Sequence, residues 1–392
     1  MPTMTDALDD LIATDPAGPD TSAEDHAAAE REAKRRQAMA DSPVVQRFAL
    51  AGDKGWLRTY PPRREWLLTT PELNHGDRKG VLPLGKVGML AAEGGAGKTM
   101  ALSQLAVAVA AGAERWLDWR IGTAGHVALL LGEEDEGEAH RRLYRTAEGM
   151  RLPDAAKHLA GSRLTVAPLA GVLCAWTKKG ADSETVTTDA KEATVDYLRA
   201  KAEERREGWA LIVIDPLSRF AGDDAEIDAA AATRFIQVVE SLTQLPGAVE
   251  GCGPTVLVAH HTNKASRAQN KGGVGTDATA ARGSSALTDA VRWQAQIEHV
   301  YESGIPIKNF AVLHVTKSNY ALRPEPMGLA RGDDGVLRSM TGDDIVRLDG
   351  ETKAIKAAAA EKAAETAAIR KEVKEKVEAR RKKGDREPGA GY

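Results

Sequence analysis

Short apolar runs recur along the middle of the chain, each followed by polar or glycine-rich residues and then by a helical pattern. Residues 87–92, 126–131, 210–214 and 255–259 are too short for helices and too continuously apolar for strands with one wet face, so they predict buried parallel strands. Residues 99–113, rich in Ala, Leu and Val, the charged stretches 137–149 and 187–207, and the Ala-rich stretch 228–245 predict helices. A further short strand is expected at 164–167, a helix or short turn at 284–296, and a strand at 310–316 that ends at Lys317. Strands that alternate with helices predict an α/β fold, a mainly parallel sheet flanked by helices, with its ligand beyond the C-terminal strand ends.

The flanks differ from this core. Residues 1–41 read as a charged N-terminal tail, with an exposed helix from Glu24 to Met39 that has little apolar face. Residues 42–84 form a lead-in whose Phe48, Leu50, Trp56, Leu57, Tyr60, Trp66 and Leu67 give it apolar material to pack with. The main domain is expected over 85–350, with a small terminal hairpin at 336–348, and a charged helix and tail over 351–392. Within the domain, residues 263–282 lack periodicity, are rich in Gly, Asn, Thr and Ala, and carry Lys264, Arg267, Lys271 and Arg282, the pattern of a mobile loop.

Composition narrows the picture modestly. A 392-residue chain with 42% hydrophobic and 28% charged residues suits one large domain, or one domain with a smaller companion. Its net charge of -4 gives no global pull toward nucleic acid. Cys174 and Cys252 are far apart, without the spacing of a disulfide framework or zinc site, so a reducing, cytoplasmic setting is expected. The acidic N-terminus is the wrong pattern for a signal peptide, and apolar stretches of about ten residues are too short to span a bilayer, so no membrane partner is expected.

The chemistry begins directly after residues 87–92. Glu93, Gly94, Gly95, Ala96, Gly97, Lys98, Thr99 and Met100 bridge the first strand and its helix. Glycines let successive N–H groups turn inward around phosphate oxygens, and the helix N-terminus points at the same charge. Lys98 is expected to contact the outer phosphates of ATP, and Thr99 to hold Mg2+ through its hydroxyl. The usual opening Gly of such a loop is here Ala92, an entry-side variation that leaves the other glycines in place.

Three further strand ends supply candidate partners. Asp215 closes the run 210–214 and is expected to hold the Mg2+ shell together with Thr99. Residues 126–131 lead into Gly132-Glu133-Glu134-Asp135, where Glu134, or alternatively Glu133, would orient the attacking water. His260 and His261 leave the strand 255–259 as candidate sensors of the terminal phosphate, with a polar cap or a metal pair as competing readings. Arg282, Arg292 and Lys317 are the cations available to stabilise transition-state charge, including from a neighbouring subunit.

Taken in order, the glycine loop ending in Lys98-Thr99, Glu134-Asp135 with His140-Arg141-Arg142-Leu143, residues 211–215 with Arg219-Phe220, His260-His261 with Lys264, Arg282-Gly283-Ser284-Ser285 with Asp289 and Arg292-Trp293, and Lys317-Ser318-Asn319-Tyr320 resemble a RecA-like P-loop ATPase. More closely, they resemble the hexameric replicative helicases of broad-host-range plasmids and their prophage and mobile-element relatives, over about residues 82–337. The resemblance implies a homo-oligomer, a hexameric ring that hydrolyses ATP with Mg2+ at subunit interfaces and moves along single-stranded DNA. It also implies Glu134 as base, His260 or His261 as sensor, Arg292 as the arginine acting in trans, and residues 263–282 as a channel loop whose Lys264, Arg267 and Lys271 track DNA phosphates. The added ends would recruit a primase, an origin-binding protein or another partner. The alternative within the same fold is a recombination or regulatory DNA-linked ATPase that does not separate strands.

Overall fold

The computed structural model describes residues 23–71, 79–182, 184–222, 228–262 and 285–384. The chain divides into two compact units, Met1–Arg63 and Arg64–Tyr392. Among its described residues the first contains helix α1 (Ala23–Asp41) and a 3-10 turn, Val45–Arg47. α1 carries ion pairs one turn apart, such as Lys34–Glu30 at 2.6 Å, on a helix without an apolar stripe. In the same unit Phe48, Leu50, Trp56, Leu57 and Tyr60 are exposed.

The second unit opens with β1 (Trp66–Thr69) and β2 (Gly80–Pro83), then β3 (Val87–Ala92) and helix α2 (Lys98–Ala111). β4 (Arg115–Trp116), β5 (Trp119–Ile121), β6 (His126–Leu131), α3 (Glu136–Gly149), α4 (Asp154–Arg163) and β7 (Leu164–Pro168) follow. The chain continues through β8 (Thr177–Lys179), β9 (Thr185–Thr187), α5 (Asp189–Arg205), β10 (Trp209–Asp215), α6 (Leu217–Phe220), α7 (Ala229–Ser241) and β11 (Thr255–His261). Last come α8 (Ser285–Ala290), β12 (Trp293–Glu302), β13 (Ile305–Ser318), β14 (Met327–Arg331), β15 (Leu337–Ser339) and α9 (Gly342–Gly384).

A nine-stranded sheet in the order β15-β14-β13-β12-β3-β11-β10-β6-β7 carries the unit. The stretch from β12 to β7 is parallel, and β13, β14 and β15 continue it as antiparallel strands. β3, β6 and β10 are buried along their whole lengths, because helices cover both faces and leave no side for water. One face packs Leu102, Leu105 and Val109 of α2 with Leu129 and Val213; the other packs Phe235 and Val239 of α7 and Leu198 of α5 with Ile212 and Ile214. The α/β architecture with a mainly parallel, helix-flanked sheet is therefore the observed fold.

The C-terminal part departs from expectation. Residues 336–348 do not form a hairpin: Leu337–Ser339 pairs with β14, and α9 begins at Gly342. Thr341 N and Oγ1 donate to the Asp344 carboxylate at 2.8 and 2.7 Å, which caps the helix start in the manner of a capping box. The Arg338 guanidinium holds the same carboxyl well below the usual carboxylate range. Residues 284–296 split into the short α8 and the first part of β12.

β15 is fastened to the helix that follows the glycine loop. Gln104 Nε2 donates to Leu337 O at 2.8 Å, and Leu337 N donates to Gln104 Oε1 at 3.0 Å, both buried. An amide that matches a peptide in both directions leaves two buried backbone groups unpaired when removed. Gln104→Leu is expected to cost about 2–4 kcal/mol of stability, read by denaturant unfolding, because each orphaned buried group carries its own desolvation penalty.

Candidate active site

β3, β11 and β10 are adjacent and parallel, so their C-terminal ends open at one edge, and β6 adds its end beside β10. The glycine loop leaves β3 there. Gly95 and Gly97 have φ of 78° and 102°, which L side chains avoid, and a Cβ on Gly97 would lie 2.7 Å from Arg331 Nη2. Gly97 precedes α2, so the helix N-terminus and its unpaired N–H groups face the loop.

Lys98 and Asp215 meet at this edge. Lys98 Nζ lies 3.1 Å from Asp215 Oδ1, and the two side chains are only 5% and 4% exposed. Asp215 Oδ2 is buried and has no hydrogen-bond partner among the described residues. An unpartnered carboxylate oxygen, together with the hydroxyl of Thr99 next to Lys98, is a hard-oxygen donor set that fits Mg2+. Successive residues of β11 face opposite sides of the sheet. His261 Nε2 comes within 3.4 Å of Lys98 Nζ, whereas His260 is buried in the sheet beside Ala91 of β3.

β6 delivers the acids. Gly132 N donates to Asp215 O at 2.7 Å, which ties the end of β6 to that of β10. Glu134 Oε1 accepts from Arg142 Nη2 at 2.6 Å, with both side chains less than one-fifth exposed. Glu133 is more exposed and lies 3.4 Å from Arg219 Nε. Of the remaining loop residues, Glu93 accepts from Tyr301 Oη at 2.8 Å, and Gly94 is exposed. Met100 is buried, with its sulfur taking a 3.4 Å contact from Thr146 Oγ1 of α3.

The expected cations are not gathered here. Arg292 N donates to Val87 O, so Arg292 sits at the opposite end of β3, about 17 Å along the strand from Ala92 at ~3.3 Å per residue. Lys317 pairs with Gln294, which pairs with Met89, again toward that far end. Its Nζ donates to Thr288 O and Asp289 O at 2.9 Å each, holding the end of α8, and burial pushes its pKa down. Arg282, with Lys264, Arg267 and Lys271, lies outside the described residues.

Arg331 is a second cation at the loop, beside Lys98. From β14 its Nη2 donates to Gly95 O at 2.8 Å, and burial lowers its pKa. Nothing in the sequence signals this contact, which spans 236 positions. Among the described residues no group of three or more His, Cys, Asp or Glu side chains is placed to hold a metal ion, and no helix is long and apolar enough to cross a membrane.

Comparison with known proteins supplies the family. A family model described as "AAA domain" matches residues 47–267, more than half of the chain. Among solved structures the chain is similar to one described as an "ATPase Domain", with a TM-score of 0.43 and 13% identity over 65% of this chain and 85% of that one. By the extent of the family match, the chain belongs to the AAA domain family and is an ATPase.

Proposed function

We propose that the protein is a ring-forming helicase or translocase that hydrolyses ATP to move along single-stranded DNA, with each active site completed by a neighbouring subunit. The ATPase proper is residues 85–350, flanked by the charged tail 1–41, the lead-in 42–84 and the terminal helix and tail 351–392. The observation that carries the reading is the separation of parts: Lys98, Asp215, His261 and Glu134 share one sheet edge, while Arg292 stands at the other end of β3. An arginine there is out of reach of its own phosphate loop and, in this reading, serves a nucleotide held by another copy. The exposed Phe48, Trp56 and Tyr60 of the first unit supply apolar surface for such assembly.

In this reading the loop N–H groups and Lys98 bind the β- and γ-phosphates, and Thr99 and Asp215 would hold Mg2+, Thr99 directly and Asp215 through its hydration shell. The ion, when bound, offsets the charge that develops on the phosphate oxygens. Glu134 orients and deprotonates the attacking water, His261 registers loss of the terminal phosphate beside Lys98, and Arg292 of a neighbour stabilises the transferring group. The motif order that resembles plasmid replicative helicases, and the cationic residues of 263–282, support DNA as the track. The flanking segments are where a primase or origin-binding protein would dock.

Lys264→Ala with Lys271→Ala is expected to weaken single-stranded DNA binding and DNA-stimulated hydrolysis several-fold, with basal hydrolysis little changed. Fluorescence anisotropy across a salt series and a coupled ATPase assay check this; equal affinity and salt slope in variant and parent would remove the loop from the DNA path. For the assembly, particle images with a non-hydrolysable ATP analogue and single-stranded DNA should show closed rings, and strand-displacement assays should show unwinding. Filaments without unwinding would favour a recombination or regulatory ATPase instead.

A further inference from the structure

Glu93 is the single acidic residue of the phosphate loop 93–99, and the scheme above gives its side chain no task. Its position is unfavourable on its own. A carboxylate that leaves β3 directly ahead of Gly94 belongs to the segment whose N–H groups receive a triphosphate, and like charges repel across a few ångströms.

Tyr301 Oη donates to Glu93 Oε2 at 2.8 Å, a part-buried contact between residues 208 positions apart. β12 runs parallel to β3, and their pairing ends with Ile297 beside Ala92. From Glu298 to Glu302 β12 continues past that point, paired with β13 through Tyr301–Pro306 and Glu302–Ile305. Tyr301 therefore stands on a hairpin overhang beyond the sheet edge, on the β12 side of the loop. The overhang is braced. The His299 and Tyr301 rings meet edge to face with centroids 6.1 Å apart, and Glu302 Oε2 lies 3.5 Å from Lys356 Nζ of α9. Leu348 and Ile355 of α9 pack against Ile307 and Phe310 of β13. Arg331 grips the loop by a backbone oxygen, whereas Tyr301 engages its charged side chain.

We propose that Tyr301 is a positioning residue that holds the Glu93 carboxylate on the hairpin side of the phosphate loop, off the phosphate seat, and so favours the nucleoside triphosphate over the diphosphate. The proposal rests on the reading of residues 93–99 as the phosphate loop. Removing the hydroxyl takes away this donor and lets the Glu93 side chain sample rotamers closer to the phosphates. The repulsion grows with the charge of the ligand, so ATP, with one phosphoryl group more than ADP, is penalised more. A hydrogen bond that merely fastened the hairpin would treat the two nucleotides alike.

The test measures equilibrium binding of a fluorescent, non-hydrolysable ATP analogue and of the matching ADP analogue to the full-length protein with Mg2+. Tyr301→Phe keeps the ring that stacks on His299 and removes only the hydroxyl. It is expected to weaken the triphosphate roughly tenfold, equivalent to about 1.4 kcal/mol, and the diphosphate only about threefold on the same charge argument. Both losses should shrink as salt is added, because the repulsion is screened. In a Glu93→Gln background, where the side chain carries no charge, the same Tyr301→Phe change should move either affinity by less than about twofold. Unchanged triphosphate affinity in Tyr301→Phe, equal losses for the two nucleotides, or a loss that persists in the Glu93→Gln background would overturn the proposal. A folded parent that binds neither nucleotide would remove the loop reading and the proposal with it. A parent that binds both, beside a Tyr301→Phe protein indistinguishable from it, removes the proposal alone.

Discussion

Replacing Lys98 by Met is expected to end ATP turnover and, separately, to weaken the fold by about 3–5 kcal/mol, because it strands the Asp215 carboxylate in a buried position. The catalytic loss follows, in the proposed scheme, from the phosphate contacts that Lys98 would make as a charged donor. The stability loss follows from the ion pair itself. Asp215→Asn should likewise be destabilising, since it leaves the buried Lys98 ammonium, which also contacts His261, facing a neutral amide in place of its carboxylate. The Lys98→Met/Asp215→Asn double variant should then regain much of what either single change loses, as a buried pair removed whole costs less than a pair broken. Denaturant unfolding of the four proteins checks the cycle. Additive losses would mean that the two groups do not interact in the folded protein.

Glu134→Gln is the second large effect. The amide keeps the shape and can still accept from Arg142, but it cannot take a proton from water. Turnover is expected to fall by about 10²–10⁴-fold, the range for loss of a positioned general base, while binding of ATP changes little. Steady-state rates beside analogue binding at equilibrium separate the two. If turnover survives, Glu133, which leaves the same strand and is paired more loosely with Arg219, becomes the residue to replace next.

Much of this site could be read from the chain because its parts follow buried strands. β6 occupies residues 126–131 as expected, and β3, β10 and β11 fall on the apolar runs, since a strand covered on both faces must be apolar throughout. Each of these strands leads into one of the candidate polar groups, so locating the strand also located that residue at the sheet edge. The antiparallel half was far less legible. β12 alternates Gln294, Gln296 and Glu298 with Ala295 and Ile297, a pattern that signals one wet face, yet Gln294 and Gln296 are buried. Their buried polar atoms, with those of His314 on the paired strand, contradict the usual link between polarity and exposure.

The hairpin expected at 336–348 failed for a different reason. Thr341 and Asp344 are spaced as a helix cap, and that local signal outweighs the few apolar residues around it. Arg331 and Tyr301 show the limit of reading along a chain. Both reach the phosphate loop from strands more than 200 positions away, and only the order of strands in the sheet brings them there.

The most direct test of the account is titration of the intact protein with a non-hydrolysable ATP analogue, followed by calorimetry with and without Mg2+, in the parent and in Asp215→Asn. Saturable binding by the parent that tightens with Mg2+, and a loss of that metal dependence in Asp215→Asn, is the predicted result. A folded parent that binds no nucleotide in the presence of Mg2+, or an Asp215→Asn protein whose metal dependence is unchanged, would contradict it.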